Sequence, residues 1–404
     1  MDDHRSDRRQ GVGEVFAAFL RLGVSAFGGP IAHLGYFNAE FVQRRGWLDQ
    51  DTFAQIVALC QFLPGPASSQ VCIIIGLSRA GVLGGALAWI AFTLPSAILM
   101  AAFALGIAGI PGVANAPWIH GLLVAAVAVV AMAVSSMYRS LCPDVPRKTL
   151  ALISAAVIAV LPATGFVQLF VIVAGALYGR FFITAAPAAT RPIPTIGNRA
   201  TGIAAGLAFI GLLFGLPLID RFTTSGVLHV VTAFYESGAL VFGGGHVVLP
   251  LLQARVVPPG WVGQDAFLAG YGAAQAMPGP LFTFASYLGA AMHGPVSGIS
   301  GAAIALFAIY LPSFLLIAAV LPYWNGIIRN AAVVAALQGV NAAVVGVLLA
   351  AFYQPVWVSA IHAPADAALA VLAFAALAVW KWPPWLVVVL SAVIMQAASA
   401  LLAR

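Results

Sequence analysis

Charged side chains are scarce in this sequence: Asp, Glu, Lys and Arg supply 7% of its 404 residues, against 62% hydrophobic residues. A soluble domain carries about 25% charged residues, so this chain requires lipid as its solvent. Its long apolar runs lack the alternation of barrel strands, which predicts membrane-spanning helices. The net charge of +6 does not indicate nucleic-acid binding, because the basic residues lie between apolar segments, where they set membrane topology.

Cysteines are few, and Cys60, Cys72 and Cys142 form no CxxC or Cys/His metal spacing. No P-loop, Walker lysine or nucleophile beside a base is present either. These absences predict a protein without metal or cofactor that is neither ATP-driven nor an enzyme. Because no cleavable signal follows the polar N-terminus, we expect a multi-pass protein of a bacterial inner membrane.

One pattern of residues occurs twice, at an offset of about 215 residues. Each copy has a Phe-Gly-Gly break, a Gly-Trp pair, a glutamine, a Pro-Gly-Pro break and a Leu-Pro-Ser sequence. Duplicated halves with Gly- and Pro-interrupted apolar segments are typical of secondary transporters that bind substrate at the repeat interface. The first copy comprises Phe27–Gly29, Gly46–Trp47, Gln61, Pro64–Pro66 and Leu94–Ser96, and the second Phe242–Gly244, Gly260–Trp261, Gln275, Pro278–Pro280 and Leu311–Ser313.

The apolar segments divide the chain into a first repeat (10–183), a linker with one unmatched span (184–225) and a second repeat (226–404). The segments on either side of Pro64–Pro66 are each too short to cross a bilayer alone. Together they form one broken span or one re-entrant hairpin. With each broken pair counted as one span, and residues 14–36 as another, the fold is an all-α polytopic protein of about 13 spans.

This count also decides how the repeats are related. With the broken pair as one span, the second repeat starts on the opposite side of the membrane and the repeats are inverted. With the pair as two spans or a hairpin, the repeats are parallel. We prefer the inverted arrangement because, with the N-terminus inside, it places most Lys and Arg in cytoplasmic loops. It puts Arg44 and Arg45 outside, and Arg255 and the Pro258–Gly260 loop inside.

The Pro-Gly-Pro breaks predict an anion site. Proline removes a backbone donor and glycine permits unusual dihedrals, so half-helices that meet at membrane depth leave free amide N–H groups that favour an anion. For either break alone a structural kink is the alternative, but two breaks in register beside polar side chains favour the site. The anion-binding residues predicted here are Gln61, Gly65, Ser68, Ser69, Gln275 and Gly279.

Opposite charges align between the repeats, since Arg21 corresponds to Glu236. Ionisable groups at this depth are costly unless they are paired or face water, which suggests an ion pair across the repeat interface. In the functional interpretation Arg21 binds the anion and Glu236 carries a proton for coupling; in the structural one they only tie the halves together. His33 and His246 follow the Phe-Gly-Gly motifs and are candidate proton relays, with a structural hydrogen-bonding role as the alternative.

Arg44 and Arg45 precede Trp47 beside the first broken helix. Their guanidinium groups can fork to two oxygens of an oxyanion, so both are predicted anion-binding residues. Anchoring at lipid headgroups is the alternative. The second repeat has Pro258 and Pro259 in their place, so the halves are not equivalent in anion binding.

Together these motifs resemble the chromate ion transporter family. The resemblance covers both halves, which implies a long-chain, two-domain member. It implies efflux of chromate from the cytoplasm, chromate resistance, and sulfate as a structural analogue of the substrate. It rests on Phe27–Pro30, His33, Arg44–Leu48, Cys60–Pro66 and Ser69–Gln70, and on Phe242–His246, Trp261, Gln275 and Pro278–Pro280.

Several functions remain open at this point. The leading hypothesis is a chromate exporter driven by the proton motive force, an antiporter whose partners are chromate or sulfate, protons and the lipid bilayer. An importer of sulfate or another oxyanion is second. A passive anion channel is third. A channel needs no coupling group, so the presence of Glu236 argues against it. A membrane-embedded enzyme is a remote fourth. No nucleic-acid partner is expected, and a homodimer is left open.

Overall fold

The computed structural model describes residues 3–108, 116–161, 165–184, 198–242, 245–294 and 296–402. Within these ranges every regular element is helical, as the apolar runs predict. Residues 185–197 of the predicted linker, and Gly243 and Gly244 of the second Phe-Gly-Gly motif, lie outside them. The helices are α1 (Asp3–Ser25), α2 (Gly29–Phe37), α3 (Gln50–Phe62), α4 (Ala67–Ala108), α5 (Pro117–Leu141), α6 (Val145–Val160), α7 (Gly165–Phe182), α8 (Arg199–Asp220), α9 (Gly226–Ala239), α10 (Val248–Val256), α11 (Gln264–Ala276), α12 (Phe284–Ala291), α13 (Gly298–Val320), α14 (Trp324–Ile327), α15 (Ala331–Ala351), α16 (Val358–Ala360), α17 (Pro364–Ala378) and α18 (Pro384–Leu402).

Helices α11 and α12 form a hairpin with the second Pro-Gly-Pro break at its tip. The Tyr287 hydroxyl of α12 donates to the Ala266 carbonyl of α11 over 2.8 Å. Farther from the break, the His293 N–H donates to the Trp261 carbonyl over 2.8 Å. Because both bonds join residues on opposite sides of the break, the chain doubles back here and leaves the bundle where it entered.

The first Pro-Gly-Pro break is the tip of an equivalent hairpin between α3 and the first part of α4. The Arg79 guanidinium lies over the ring of Trp47, 5.3 Å from its centroid, so the two open ends of the hairpin meet. α4 then turns sharply at Ala80 and Gly81, and the backbones of Gly76 and Gly84 touch as its two parts run antiparallel. The re-entrant alternative is therefore confirmed for both breaks, and the single-span interpretation is wrong.

The segment at 14–36 also doubles back instead of crossing. Gly28 and Gly29 have φ of 101° and 74°, left-handed values that glycine adopts readily and that reverse the chain. Phe19 of α1 consequently packs against Phe41, just beyond α2, with ring centroids 4.7 Å apart. The prediction of one span for 14–36 is wrong, and the count of about 13 spans that depended on it is not supported. Among the described residues, six helices are long and apolar enough to cross a membrane.

The two repeats contribute long helices that run in opposite directions. The second part of α4 starts in the core of the first repeat and ends with Met100 and Ala104 in the core of the second. α13 starts in the core of the second repeat and ends with Ile317 and Leu321 in that of the first. These antiparallel helices join two hydrophobic cores, one around each pair of hairpins.

The hairpins define two ends of the bundle. At the first end, Glu14 forms ion pairs with Arg45 at 2.8 Å and with Arg79 at 3.1 Å. The second end is marked by the bond between Trp261 and His293. Arg44 and Arg45 thus share an end with Arg79, and Arg255 with the Pro258–Gly260 loop lies at the other end. The two groups lie at opposite ends, and the side of the membrane that each end faces stays a prediction.

Candidate functional site

Each Pro-Gly-Pro break is bonded to the Phe-Gly-Gly segment of the other repeat. The Gly65 N–H donates to the Val241 carbonyl over 2.6 Å, and the Gly279 N–H donates to the Ala26 carbonyl over 2.9 Å. The two carbonyls belong to equivalent residues, directly before Phe27 and Phe242. We call the four segments that meet here the junction: Ala26–Gly29, Pro64–Pro66, Val241–Phe242 and Pro278–Pro280.

The junction uses the glycine amides that the sequence offers to an anion. Gly65 and Gly279 have φ of 123° and 86°, which turns each N–H toward the opposite repeat. Because those N–H groups already donate to carbonyls, they are not the free donors that the two breaks predict. The residues do lie at the predicted place, but their visible role is to hold the repeats together.

The Leu-Pro-Ser motifs complete the same junction. A Cβ on Gly65 would lie 2.6 Å from the Ser313 hydroxyl oxygen, and a Cβ on Gly279 would lie 2.8 Å from that of Ser96. Ser96 and Ser313 are equivalent residues, so each repeat packs its serine on the glycine of the other. The separate motifs found in the sequence thus converge on one structure.

A cavity of about 700 Å³ adjoins the junction. Gly28, Gly65 and Gly279 of the junction line it, and the second half of α5 forms much of the remaining wall. No acidic side chain lines it in the part of the chain that the structure describes. Its polar lining includes Gln61 and Gln275 from the two repeats, Gln338 and Asn341 from α15, and the cations Arg147 and Lys381.

Two of the predicted anion-binding side chains, Gln61 and Gln275, meet in this cavity. The Gln275 amide nitrogen is buried and has no hydrogen-bond partner among the described residues, so it is a donor available to a bound oxyanion. His246 also lines the cavity, and its Nδ1 is hydrogen-bonded to the Tyr271 hydroxyl at 2.7 Å. The cavity therefore holds donors from both repeats and a histidine.

Ser68, Ser69 and His33 lie behind the junction instead of in the cavity. His33 Nε2 is 3.1 Å from the Ala26 carbonyl, and its Nδ1 is 3.4 Å from the Ser68 hydroxyl. Ser69 is 3.4 Å from the hydroxyl of Tyr310. His33 thus contacts the Ala26 carbonyl, which also accepts the hydrogen bond from the Gly279 N–H. This contact gives His33 a structural role that is independent of any role in proton transfer.

Arg44 and Arg45 lie at the first end and away from the cavity, where Glu40 binds both. The Nε atoms of Arg44 and Arg45 donate to the Glu40 carboxylate over 2.7 and 2.6 Å. The hydrogen bond from Arg44, together with the charge and hydrogen bond of Arg45, lowers the pKa of Glu40 to about 2. Arg45 also lies over the ring of Trp47, 5.2 Å from its centroid. The anion-binding role of both arginines stays a prediction, and any anion would compete with Glu40.

Glu236 is buried and pairs with Arg255, whose Nη2 lies 2.5 Å from its carboxylate. Arg21 is exposed, so the predicted pair of Arg21 with Glu236 is wrong. Arg255 lies on the returning helix of the hairpin that carries Glu236 and was missed as a partner. A signal was present, because Arg255 aligns with Glu40 just as Glu236 aligns with Arg21.

Arg147, Lys381, Gln338 and Asn341 line the cavity and were not among the predicted site residues. Gln338 and Asn341 are polar residues one turn apart on the otherwise apolar α15, a pattern that indicates an inward-facing polar stripe. Arg147 lies just after a loop and Lys381 lies within one, and the sequence alone gives such basic residues a role only in setting membrane topology. The fold shows that both line the cavity beside the junction.

Comparison with known proteins gives a consistent result over both repeats. The family described as chromate transporter matches residues 13–180 and 228–396. A chromate transport protein of Pseudomonas aeruginosa is 27% identical over 83% of this chain and 79% of its own length. One of Cupriavidus metallidurans is 29% identical over 82% and 80%. An uncharacterized transporter of Methanocaldococcus jannaschii is 28% identical over 83% and 82%. No solved structure matches the chain.

Proposed function

This chain belongs to the chromate transporter family, and on that premise we propose that it is a secondary active transporter that moves chromate out of the cytoplasm. The observation that carries the proposal is the cavity at the junction, where donors from both repeats meet two cations and no acidic lining residue among those described. Amide, ammonium and guanidinium groups are the donors that suit a divalent oxyanion. The names of the relatives favour chromate among such anions.

The repeats are proposed to be inverted across the membrane, with the first end in the cytoplasm. The antiparallel course of α4 and α13 supports inversion. The positive-inside rule supports the orientation, because helices alternating between the ends leave Arg221 and Arg255 at the second end and most other cations at the first. The first-end cations among the described residues are Arg44, Arg45, Arg79, Arg139, Arg147, Lys148, Arg180, Arg199, Arg329 and Lys381.

An alternating-access cycle fits the cavity better than a passive channel. The lining comes from the junction and from elements that lead to the first end, such as Ser140, Arg147 and Lys381. In the proposed orientation the cavity therefore faces the cytoplasm, the side from which an exporter loads. Glu236 is proposed to carry the coupled proton, with His246 and His33 as relays, and Arg21 is proposed to bind the anion. The host would gain chromate resistance.

Flux of labelled chromate into inside-out membrane vesicles tests the proposal. We expect saturable uptake that is accelerated by an acidic lumen and slowed by sulfate. Gln275→Leu should raise KM about tenfold or more, since a hydrogen bond to a charged group contributes about 1.5–3 kcal/mol. The control is Gln253→Leu, because the Gln253 amide bonds Gln264 over 3.0 Å and Gln253 is not among the residues that line the cavity.

Each competing function gives a different result in the same vesicles. Uptake that does not saturate and ignores the pH gradient contradicts the transporter and supports a channel. Accumulation of chromate or sulfate only in right-side-out vesicles supports an importer. If Gln275→Leu and Gln253→Leu have equal effects, the result contradicts the cavity as the binding site, because the two changes are chemically identical and differ only in their position.

A further inference from the structure

Two cations line the cavity outside the junction, and the proposed function uses them only for the positive charge that they give the cavity. Arg147 comes from the start of α6, and Lys381 comes from the turn between α17 and α18. Both elements lie at the first end of the bundle. An anion that passes between the cytoplasm and the junction therefore meets these side chains on its way.

The backbone at Lys381 is unfavourable for lysine. Lys381 has φ of 58°, and it is the one non-glycine residue with positive φ in the described part of the chain. The Trp382 N–H donates to the Ala376 carbonyl, six residues earlier, over 2.9 Å and so closes the turn that contains Lys381. A residue with such a positive φ is usually glycine. The backbone conformation therefore does not explain a lysine at this position. A role for its side chain in the cavity wall explains it.

The two cations differ in how they are held. Asp144 accepts hydrogen bonds from Arg147 at Nε over 2.8 Å and at Nη2 over 2.5 Å. The same carboxylate accepts from the Arg147 backbone N–H over 3.0 Å and so caps α6. Lys381 is exposed and forms no ion pair among the described residues. Arg147 is thus oriented by an internal acceptor, whereas the ammonium group of Lys381 is available to an incoming anion.

We propose that Lys381 and Arg147 form a vestibular anion subsite, which takes a divalent tetrahedral oxyanion before it reaches the junction. The two positive charges balance the two negative charges of such an anion. The Asp144 carboxylate stays hydrogen-bonded to the Arg147 guanidinium until the anion takes its place. Chromate and sulfate share this chemistry. The inference rests on the proposed function for its role in transport, but binding at the subsite is measurable without transport.

Lys381→Gly is the decisive variant, because glycine suits the backbone and the fold should be retained. We expect the KM for chromate to rise about tenfold with little change in Vmax, the size that electrostatic focusing in a cleft provides. The increase should shrink at high ionic strength, since salt screens an exposed charge. Lys381→Arg should stay near the parent. Lys148→Gln is the matched control, because it removes one positive charge from the same end at a residue that does not line the cavity.

Asp144→Asn gives an effect of opposite sign. Asparagine still caps a helix but releases the guanidinium of Arg147, so KM should fall about threefold, as expected when a competing charge is removed. The subsite is refuted if Lys381→Gly stays within about twofold of the parent, or if Lys148→Gln raises KM as much. Such a result leaves saturable, gradient-driven flux in the parent, and with it the proposed function, intact.

A binding measurement separates the two proposals. Sulfate should raise the thermal unfolding temperature of the detergent-solubilised parent, by mass action on the folded state, and should do so less for Lys381→Gly. If the parent shows no chromate flux but this difference persists, the transport proposal fails and the subsite stands. If sulfate stabilises both proteins equally, the subsite is refuted.

Discussion

In the first repeat, the helix before the Phe-Gly-Gly break carries Arg21 and the segment after it carries Glu40; the equivalent positions of the second repeat carry Glu236 and Arg255. The charges of the two hairpins are thus reversed. In the second repeat the pair closes at 2.5 Å. In the first, Glu40 is bound by Arg44 and Arg45, whose counterparts are prolines, and Arg21 is left exposed.

The glycines, prolines and serines that shape the junction show the contrary behaviour, because they are the same in both repeats, and the equivalent residues Ala26 and Val241 differ only in an apolar side chain. Gly65 and Gly279 make equivalent hydrogen bonds, and Ser96 and Ser313 pack on them in equivalent ways. The two repeats have thus kept the residues that shape the backbone and differ in the residues that carry charge. Two identical repeats in opposite orientations have no preferred direction, so the reversed charges are where we expect direction and coupling to be encoded.

The first prediction compares corresponding segments at the two ends and has an all-or-none outcome. Gln43, in the helical segment Asn38–Arg44, and Pro259, in the Pro258–Gly260 loop, are exposed and belong to opposite ends of the bundle. Gln43→Cys should react with an impermeant thiol reagent only in inside-out vesicles, and Pro259→Cys only in intact cells. Labelling both from the same side contradicts the inverted arrangement. The native Cys60, Cys72 and Cys142 are buried, so the unmodified protein provides the background.

The second prediction concerns the shared junction. Gly65→Ala should abolish transport and reduce the amount of folded protein, because its Cβ would lie 2.5 Å from the Gln70 amide nitrogen and 2.6 Å from the Ser313 hydroxyl. The left-handed backbone adds about 1–2 kcal/mol for a residue with a Cβ. Gly279→Ala should be milder, because its Cβ would have one contact below 3.0 Å, at 2.8 Å from the Ser96 hydroxyl, instead of two. The measurements are chromate flux and the thermal unfolding temperature in detergent.

Gly260→Ala isolates the backbone contribution from the crowding. Gly260 has φ of 75° but an added Cβ there meets nothing within 4 Å. It should lose only the stability that the left-handed conformation costs and retain transport. If Gly65→Ala behaves like Gly260→Ala, the close contact between the repeats is not required, and the junction is not the structural centre of the molecule.

Much of this fold was predictable from the sequence, and the failures have a common physical cause. Helix positions and the two breaks follow from apolar run length and from Gly and Pro, which act locally. Whether the chain continues or reverses after a break depends on packing between helices, such as Phe19 on Phe41, which no local pattern records. The partner of Glu236 was missed for the same reason, since Arg255 adjoins it only after the chain reverses.

The candidate site shows the same division. Gln61 and Gln275 were found because they occur in register beside the breaks, where a polar side chain at membrane depth is costly unless it has a partner or faces water. The amides of Gly65 and Gly279 were expected to be free, but the opposite repeat satisfies them, a long-range contact that the sequence does not encode locally. The positive-inside rule explains most basic residues in and beside loops, so the sequence assigns Arg147 and Lys381 to membrane topology and does not reveal that both line the cavity.

The last prediction separates the two reversed charges by their effect on coupling. Glu236→Gln retains the shape of the side chain and mimics its protonated form. Arg255 is partly exposed, with 34% of its side-chain area accessible, so it can turn toward water when its counterion is lost and the fold should survive. We expect the variant to keep chromate exchange but to lose acceleration by a pH gradient. Arg21→Gln, the matched change at the equivalent position, should reduce transport equally with and without the gradient, because Arg21 is proposed to act on the anion. If Glu236→Gln still concentrates chromate in response to the gradient as the parent does, Glu236 is structural, and the proton carrier must be sought first at His246, a histidine that lines the cavity.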